Sequence, residues 1–242
     1  MEKVVKPYNE EELSKKEQVA RMFDNISPKY DLLNHLLSFG IDIQWRKKAI
    51  KLLKATQPKT ILDVATGTAD FAIQSLSLKP DKVSGVDISE GMLLIGKEKI
   101  KKKKLDHIIT LEKGDSENLR FEDNNFDAVI VAFGVRNFEN LEIGLANMFR
   151  VLKKEGKVII LEFSKPTSFP FKQMYNFYFK SILPIIGNVI SKDDSAYTYL
   201  PESVLAFPQG SKFLEILNKT GFKTTECIPL TFGICSIYTG IK

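Results

Sequence analysis

Cysteine and histidine are scarce, with two of each in 242 residues. Cys227 and Cys235 lack CxxC spacing, so a zinc site or a disulfide framework is not expected, and both read as reduced core or strand residues. Long apolar runs are also missing. The nearest is FPFKQMYNFYFKSILPIIGNVI (169–190), which Lys172, Lys180 and Pro184 interrupt, so no membrane-spanning segment is expected. The first residues, MEKVVKPYNEEELSKKEQ, contain no 7–15-residue apolar stretch of the signal-peptide kind, which predicts a cytoplasmic chain. Two nucleotide signatures are absent as well. No GxGxxG follows a strand, and no Gly-Lys-Ser/Thr follows a glycine-rich loop, which excludes a dinucleotide fingerprint and a P-loop.

What is present is an alternation of strand and helix patterns. Val19, Met22 and Phe23, then Ile41, Trp45, Ala49, Leu52 and Leu53, fall at helical spacing, so 14–55 reads as helical, with DLLNHLLSFG (31–40) as a short amphipathic helix. From Thr60 onward strands are predicted at 60–65, 82–87, 108–115, 126–134 and 157–164, with helices at 68–78, 89–102 and 141–152 between them. Crossovers of that length require a parallel, doubly wound sheet. After an irregular, aromatic-rich insertion (165–208), a helix (211–221) and two strands (223–230 and 233–242) close the chain as a hairpin. The expected division is an N-terminal helical segment (1–55) and an α/β domain (56–242) that carries the insertion. The net charge of +5 owes much to GKEKIKKKK (96–104), which reads as the solvated end of a surface helix.

The loop after the first strand, LDVATGTADFA (62–72), has one glycine, Gly67. A ligand without a pyrophosphate needs only one close backbone approach there. Acidic residues end three consecutive strands. Asp63 would face a cationic group, Asp87 would accept two ribose hydroxyls, and Asp115 with Ser116 would read an adenine edge. Taken singly, each acid is equally well explained as a turn or helix-cap residue. As an ordered triple they suit S-adenosylmethionine, which combines ribose, adenine and a positive tail with no phosphate.

With these residues the chain resembles the class I S-adenosylmethionine-dependent methyltransferases, and more narrowly the ubiquinone/menaquinone biosynthesis C-methyltransferase family. The segments that carry the resemblance are FDNISPKYDLLNHLLSFGIDIQWRK (23–47), LDVATGTADFA, GVRNFEN (134–140), LEFSKP (161–166) and YTYLPESVLAFP (197–208). The resemblance implies a Rossmann-like, mostly parallel seven-stranded sheet and methyl transfer to a ring carbon of a polyprenylated quinol. Demethylmenaquinol is the foremost substrate, with the benzoquinol of ubiquinone synthesis beside it. It also implies Thr68, Asp87, Asp115 and Ser116 as cofactor residues. Family members generally carry glycine where Ala69 stands, and serine is sometimes assigned to the cofactor where Ala132 stands. Residue 69 is expected to have helical dihedrals, which would make its methyl harmless.

Methylating an aromatic carbon requires an activated quinol and an in-line arrangement of carbon, methyl and sulfur. Arg136 and Asn137, just after the fourth strand, are the best-placed catalytic pair, one to stabilise a phenolate and the other to orient a ring oxygen. Arg136 pairing with Glu139 or Glu162 for purely structural reasons is the competing reading. Tyr197, Tyr199 and Glu202 are candidates for the quinol pocket, and Tyr30, Leu37 and Trp45 for its opposite wall, while His35 reads as packing. The insertion reads either as an interfacial surface in peripheral contact with the inner face of a membrane or as a lid with no bilayer contact. A homodimer is left open. Rival functions are a methyltransferase acting on another small molecule and a nucleotide-binding module without chemistry. Nucleic acid is not expected as a partner, because basic and aromatic residues do not interleave.

Overall fold

The computed structural model describes residues 5–8, 10, 12–31, 38, 40–177, 181 and 194–242. Seven strands form one sheet: β1 (Thr60–Val64), β2 (Lys82–Asp87), β3 (Ile109–Lys113), β4 (Phe126–Ala132), β5 (Leu152–Phe163), β6 (Lys223–Leu230) and β7 (Cys235–Ile241). Their order is β3-β2-β1-β4-β5-β7-β6. β1 to β5 run parallel, and β7 enters antiparallel between β5 and β6. The order reverses between β1 and β4, so the loops leaving those two strands diverge and open a crevice at their carboxyl ends.

Period-two alternation sorts the side chains. Leu62, Val64, Val129, Val131, Val158 and Ile160 face one core, built with α5 (Leu141–Val151) and α8 (Ser211–Thr220). Ile61, Ala128, Ile130, Ile159 and Leu161 face the other, built with α2 (Ile41–Lys51) and α3 (Asp70–Ser75). α4 (Glu90–Lys102) joins β2 to β3. α1 (Lys15–Ile26) begins with a full capping box in which Ser14 accepts from the Glu17 N–H and Glu17 accepts from the Ser14 N–H.

Four expectations are corrected. β5 starts at Leu152 rather than 157, because Leu152 pairs with Phe126 before a bulge that takes Glu155 to φ +63. The insertion is not irregular throughout, since α6 (Phe171–Phe177) and α7 (Asp194–Ala206) are helices within it. The 68–78 helix starts only at Asp70, and Ala69 stands before it in the left-handed region at φ 68 and ψ 18. Its methyl is therefore not neutral, because an L-residue there costs about 1–2 kcal/mol that glycine avoids. Lys99, within the run assigned to a solvated helix end, is drawn inward instead. The helix expected at 31–40 falls largely outside the described residues, as do Leu37 and His35.

The two loops that flank the crevice touch each other. A Cβ added to Gly134 would lie 2.6 Å from the Cβ of Ala65 and 3.1 Å from Val131 Cγ2. Gly134 has ordinary dihedrals (φ −107, ψ −38), so the demand on it is purely steric. Gly134→Ala should therefore lower stability by about 1–3 kcal/mol through overpacking. Urea unfolding measures this directly, and a loss below about 0.5 kcal/mol would show that the loops do not press on one another.

Candidate active site

The crevice holds about 690 Å³ of empty space, its open mouth included. Its floor is the carboxyl edge of the sheet: Ala65, Gly67, Val86, Asp87, Gly114, Asp115, Ser116, Ala132, Phe133 and Gly134. Its wall is α1 with the segment after it, through Lys16, Val19, Phe23 and Tyr30.

Backbone geometry at the floor is unusual. Ala65 (φ 53), Gly67 (φ 55), Ala69 (φ 68) and Phe133 (φ 59) are all left-handed. Such conformations cluster where a backbone must approach a ligand. The turn aims the Gly67 N–H at Asp87, whose Oδ2 accepts it at 2.7 Å, while Oδ1 accepts from Ser89 N at 2.9 Å. Burial pushes the Asp87 carboxyl up to about 6 against the pull of these amides.

Asp115 Oδ1 accepts from Glu117 N at 2.8 Å, and its Oδ2 pairs with Lys16 at 3.0 Å. Asp87, Asp115, Glu117 and Glu139 line the crevice, with Lys16 the single cation among the described lining residues.

Two loop residues point elsewhere. Asp63 shares the face of Ile61, away from the crevice lining. Its Oδ2 accepts from Thr66 Oγ1 at 2.6 Å, its Oδ1 has no partner, and burial lifts its carboxyl to about 7. Thr68 donates to Asp31 at 2.6 Å and accepts from Lys99 at 3.0 Å. Lys99 also binds Asp31 (2.6 Å) and Asp70 (2.7 Å). Thr68 thus ties the loop to α4 and to the segment after α1, outside the crevice lining.

Arg136 and Asn137 sit in a short 3₁₀ turn, Val135–Asn137, after β4. The Arg136 guanidinium pairs with Glu162 Oε1 at 2.8 Å, donates to the Phe133 carbonyl and lies 5.5 Å from the centre of the Phe163 ring. Glu162 is fully buried, so burial raises its carboxyl while Arg136 opposes the rise. The pairing with Glu162 is therefore real, yet it leaves Arg136 Nε buried without a partner. Asn137 lines the crevice, and its Oδ1 likewise has no partner.

α7 packs against this turn and α1, bringing in Tyr199, whose buried hydroxyl has no partner and is raised to about 12 by burial. Arg136 pulls that value down, as it does for Tyr175 on α6, whose hydroxyl is also raised by burial. Glu202 is exposed and does not line the crevice, and the side chain of Tyr197 lies outside the described residues. Tyr30 lines the crevice, whereas Trp45 is buried beside Phe133 and Phe163 and donates to Thr231 Oγ1 at 2.8 Å.

Glu162, Tyr175, Lys15 and Lys16 went unnamed as site residues in the sequence reading. Only Glu162 had a signal, as the one acid in the apolar strand KVIILEF. Among the described residues no His, Cys, Asp and Glu cluster can hold a metal.

Because Glu162 is the counter-ion of a buried guanidinium, Glu162→Ala should cost about 3–5 kcal/mol by leaving that charge unpaired. Denaturant unfolding at neutral pH tests this, and a cost under about 1 kcal/mol would show that the pair is not shielded from water.

Comparison with known proteins places the chain in a family. A solved SAM-dependent methyltransferase from Thermotoga maritima superposes with a TM-score of 0.63 at 20% identity, covering 92% of this chain and 99% of the other. That likeness establishes the fold. The demethylmenaquinone methyltransferase of Bacteroides fragilis is 51% identical over 239 residues, covering 98% of this chain and 97% of its own. The ubiquinone/menaquinone biosynthesis C-methyltransferase UbiE of Geobacter sulfurreducens is 45% identical over 230 residues, covering 94% and 90%. The family model described as ubiE/COQ5 methyltransferase family matches residues 11–242, and the chain belongs to that family.

Proposed function

We propose that the protein transfers the methyl group of S-adenosylmethionine to a ring carbon of a polyprenylated quinol, demethylmenaquinol foremost. The observation that carries the cofactor half is the charge of the crevice. Four acidic residues line it beside one lysine, a charge balance that disfavours phosphate and favours a cationic, hydroxyl-bearing ligand. Asp87 would hold the ribose, Asp115 and Ser116 the adenine, and Gly67 the close backbone approach. Asp63 and Thr68 hold the loop's shape from beneath. When bound, the sulfonium supplies an electrophilic methyl.

The chain's own residues prepare the acceptor. Loss of the quinol O–H proton makes the ring carbon nucleophilic, and a new C–C bond forms as the S–CH₃ bond breaks. Loss of the ring proton from that carbon then restores aromaticity. Arg136 stabilises the phenolate from a site where Glu162 and Phe163 keep it desolvated. Asn137 Oδ1 and the Tyr199 hydroxyl, both buried and unpartnered, would orient ring oxygens. The names of the relatives favour a quinol over other small molecules as the acceptor.

The described parts of the N-terminal segment (1–55) and of the insertion (165–208) act as walls on the α/β domain. α6 turns Tyr175 inward while Met174 and Phe177 stay exposed, beside exposed Phe169 and Phe232. Phe232 stacks on Phe171 at 3.7 Å. This aromatic ridge, flanked by Lys172, suits peripheral contact with a bilayer holding the prenyl tail. No helix among the described residues is long and apolar enough to cross one.

Incubation with methyl-labelled S-adenosylmethionine and a membrane quinone extract should label a quinone, and label in RNA, protein or another small molecule would overturn the reading. Arg136→Lys keeps the charge that Glu162 needs but loses the planar fork. It should lower kcat by about 10²–10³-fold with donor affinity unchanged, and full retained activity would remove Arg136 from the mechanism.

Asp87 must be ionised to accept two hydroxyls, and its carboxyl is raised to about 6. Donor affinity should therefore hold above pH 7 and fall about tenfold between pH 7 and pH 5, as the protonated form takes over. Calorimetric titration across that range would show a flat profile if Asp87 did not hold the ribose.

A further inference from the structure

We propose that Lys15, in the first turn of α1, is a positioning residue for methyl transfer, holding the Val135–Asn137 turn so that Arg136 and Asn137 meet the acceptor. The inference rests on the acceptor chemistry proposed above, although part of its test does not.

Lys15 reaches across 121–124 residues of sequence by three bonds. Its Nζ donates to the Arg136 carbonyl at 3.2 Å and to the Phe138 carbonyl at 2.7 Å, and its backbone N–H donates to Glu139 Oε1 at 2.8 Å. The two carbonyls bracket Asn137. The turn is weak by itself, closed by Asn137 N to Gly134 O (3.0 Å) and Phe138 N to Val135 O (3.2 Å). A single 3₁₀ turn leaves its last carbonyls without internal partners. One ammonium satisfies those on both sides of the crevice asparagine, fixing the peptide planes that aim the side chains of Arg136 and Asn137.

An ordinary surface lysine would not be placed this way. Lys15 is half-buried against the turn, with Glu139 and Glu117 attracting its charge and Arg136 repelling it. Burial outweighs the two carboxylates and draws its ammonium down to about 8. Its neighbour Lys16 binds Asp115 on the adenine side, so successive residues of α1 touch both halves of the site.

The test compares wild type, Lys15→Met and Lys15→Arg as full-length protein. Lys15→Met should lower kcat for labelled methyl transfer by about a hundredfold, since a displacement near 1 Å at the reacting groups has that effect. Its donor dissociation constant should stay within about threefold, since the lysine makes no bond to the ribose or adenine residues. Amide hydrogen exchange at Asn137 and Phe138 should quicken by at least about tenfold. Lys15→Arg should recover most of the rate. Wild-type kcat should decline as pH rises through about 8, where the ammonium is lost, and Lys15→Arg should abolish that decline.

An inactive wild type would overturn the quinol reading and leave the exchange measurement to judge Lys15. An active wild type with Lys15→Met unchanged in either rate or exchange would overturn the positioning role. Should Lys15→Met fail to fold, as melting would reveal, the pH profiles of wild type and Lys15→Arg decide the matter.

Discussion

The buried ion pair between Arg136 and Glu162 constrains everything around it. Removing a guanidinium and a carboxylate from water costs several kcal/mol per ion, which attraction repays only when the remaining polar atoms are also bonded. Glu162 meets that condition by accepting from Arg136 twice, through the guanidinium and the backbone N–H, and from the Phe163 N–H. Glu162 belongs to β5, which is paired with β4 on one side and β7 on the other, so it cannot move without breaking ladders. The turn after β4 is thereby held to the sheet. The guanidinium Nε is left buried without a partner, as is the Tyr199 hydroxyl.

A second constraint comes from the backbone. Left-handed residues at 65, 67 and 69 fold the β1 loop back on itself, and Phe133 does the same after β4. Only one of these four is glycine, so the strain in the other three must be offset by packing. Ala69 is fully buried in the core beneath the sheet, and Phe133 stacks on Phe163 with ring centres 4.4 Å apart. The cores therefore over-determine the loops, which lets a narrow crevice persist where β1 and β4 part.

Much of this was legible in the sequence. Strands β1 to β4, β6 and β7 were read within a few residues, because their apolar runs are bounded by clear turn residues. The first five residues of β5 were hidden in LKKEG, where charge and glycine mimic a turn although the ladder continues through a bulge. α7 contains Pro201, which reads as a breaker when only sequence is available. Proximity of Asp87, Asp115, Ser116, Gly67 and Asn137 followed from strand ends and topology. The direction of Asp63 could have been read from strand parity, since it alternates with Leu62 and Val64 and must share the face of Ile61. Thr68 and Lys15 could not, because their partners at Asp31, Lys99, Arg136 and Phe138 lie far away in sequence and answer to no local period.

The raised carboxyls beneath and within the crevice explain why the free protein tolerates them. Asp87 is desolvated by walls shaped for a ligand, and the amides of Gly67 and Ser89 only partly compensate its charge. A ligand bringing two hydroxyl donors and a positive charge supplies what these amides do not. Its binding would restore to Asp87 the stabilisation that burial removed. The site is preorganised in that sense, since the cost of holding charge away from water is met during folding. Asp24 repeats the logic at the rim: reaching from α1, its Oδ1 accepts from Ser89 Oγ at 2.6 Å and Gly91 N at 2.8 Å at the N-terminus of α4. Negative charge is stabilised at that helix end, so the contact both anchors α1 and fixes the segment that orients Asp87. Anchored there by Asp24 and at its other end by Lys15 and Lys16, α1 ties the floor of the crevice to the Val135–Asn137 turn.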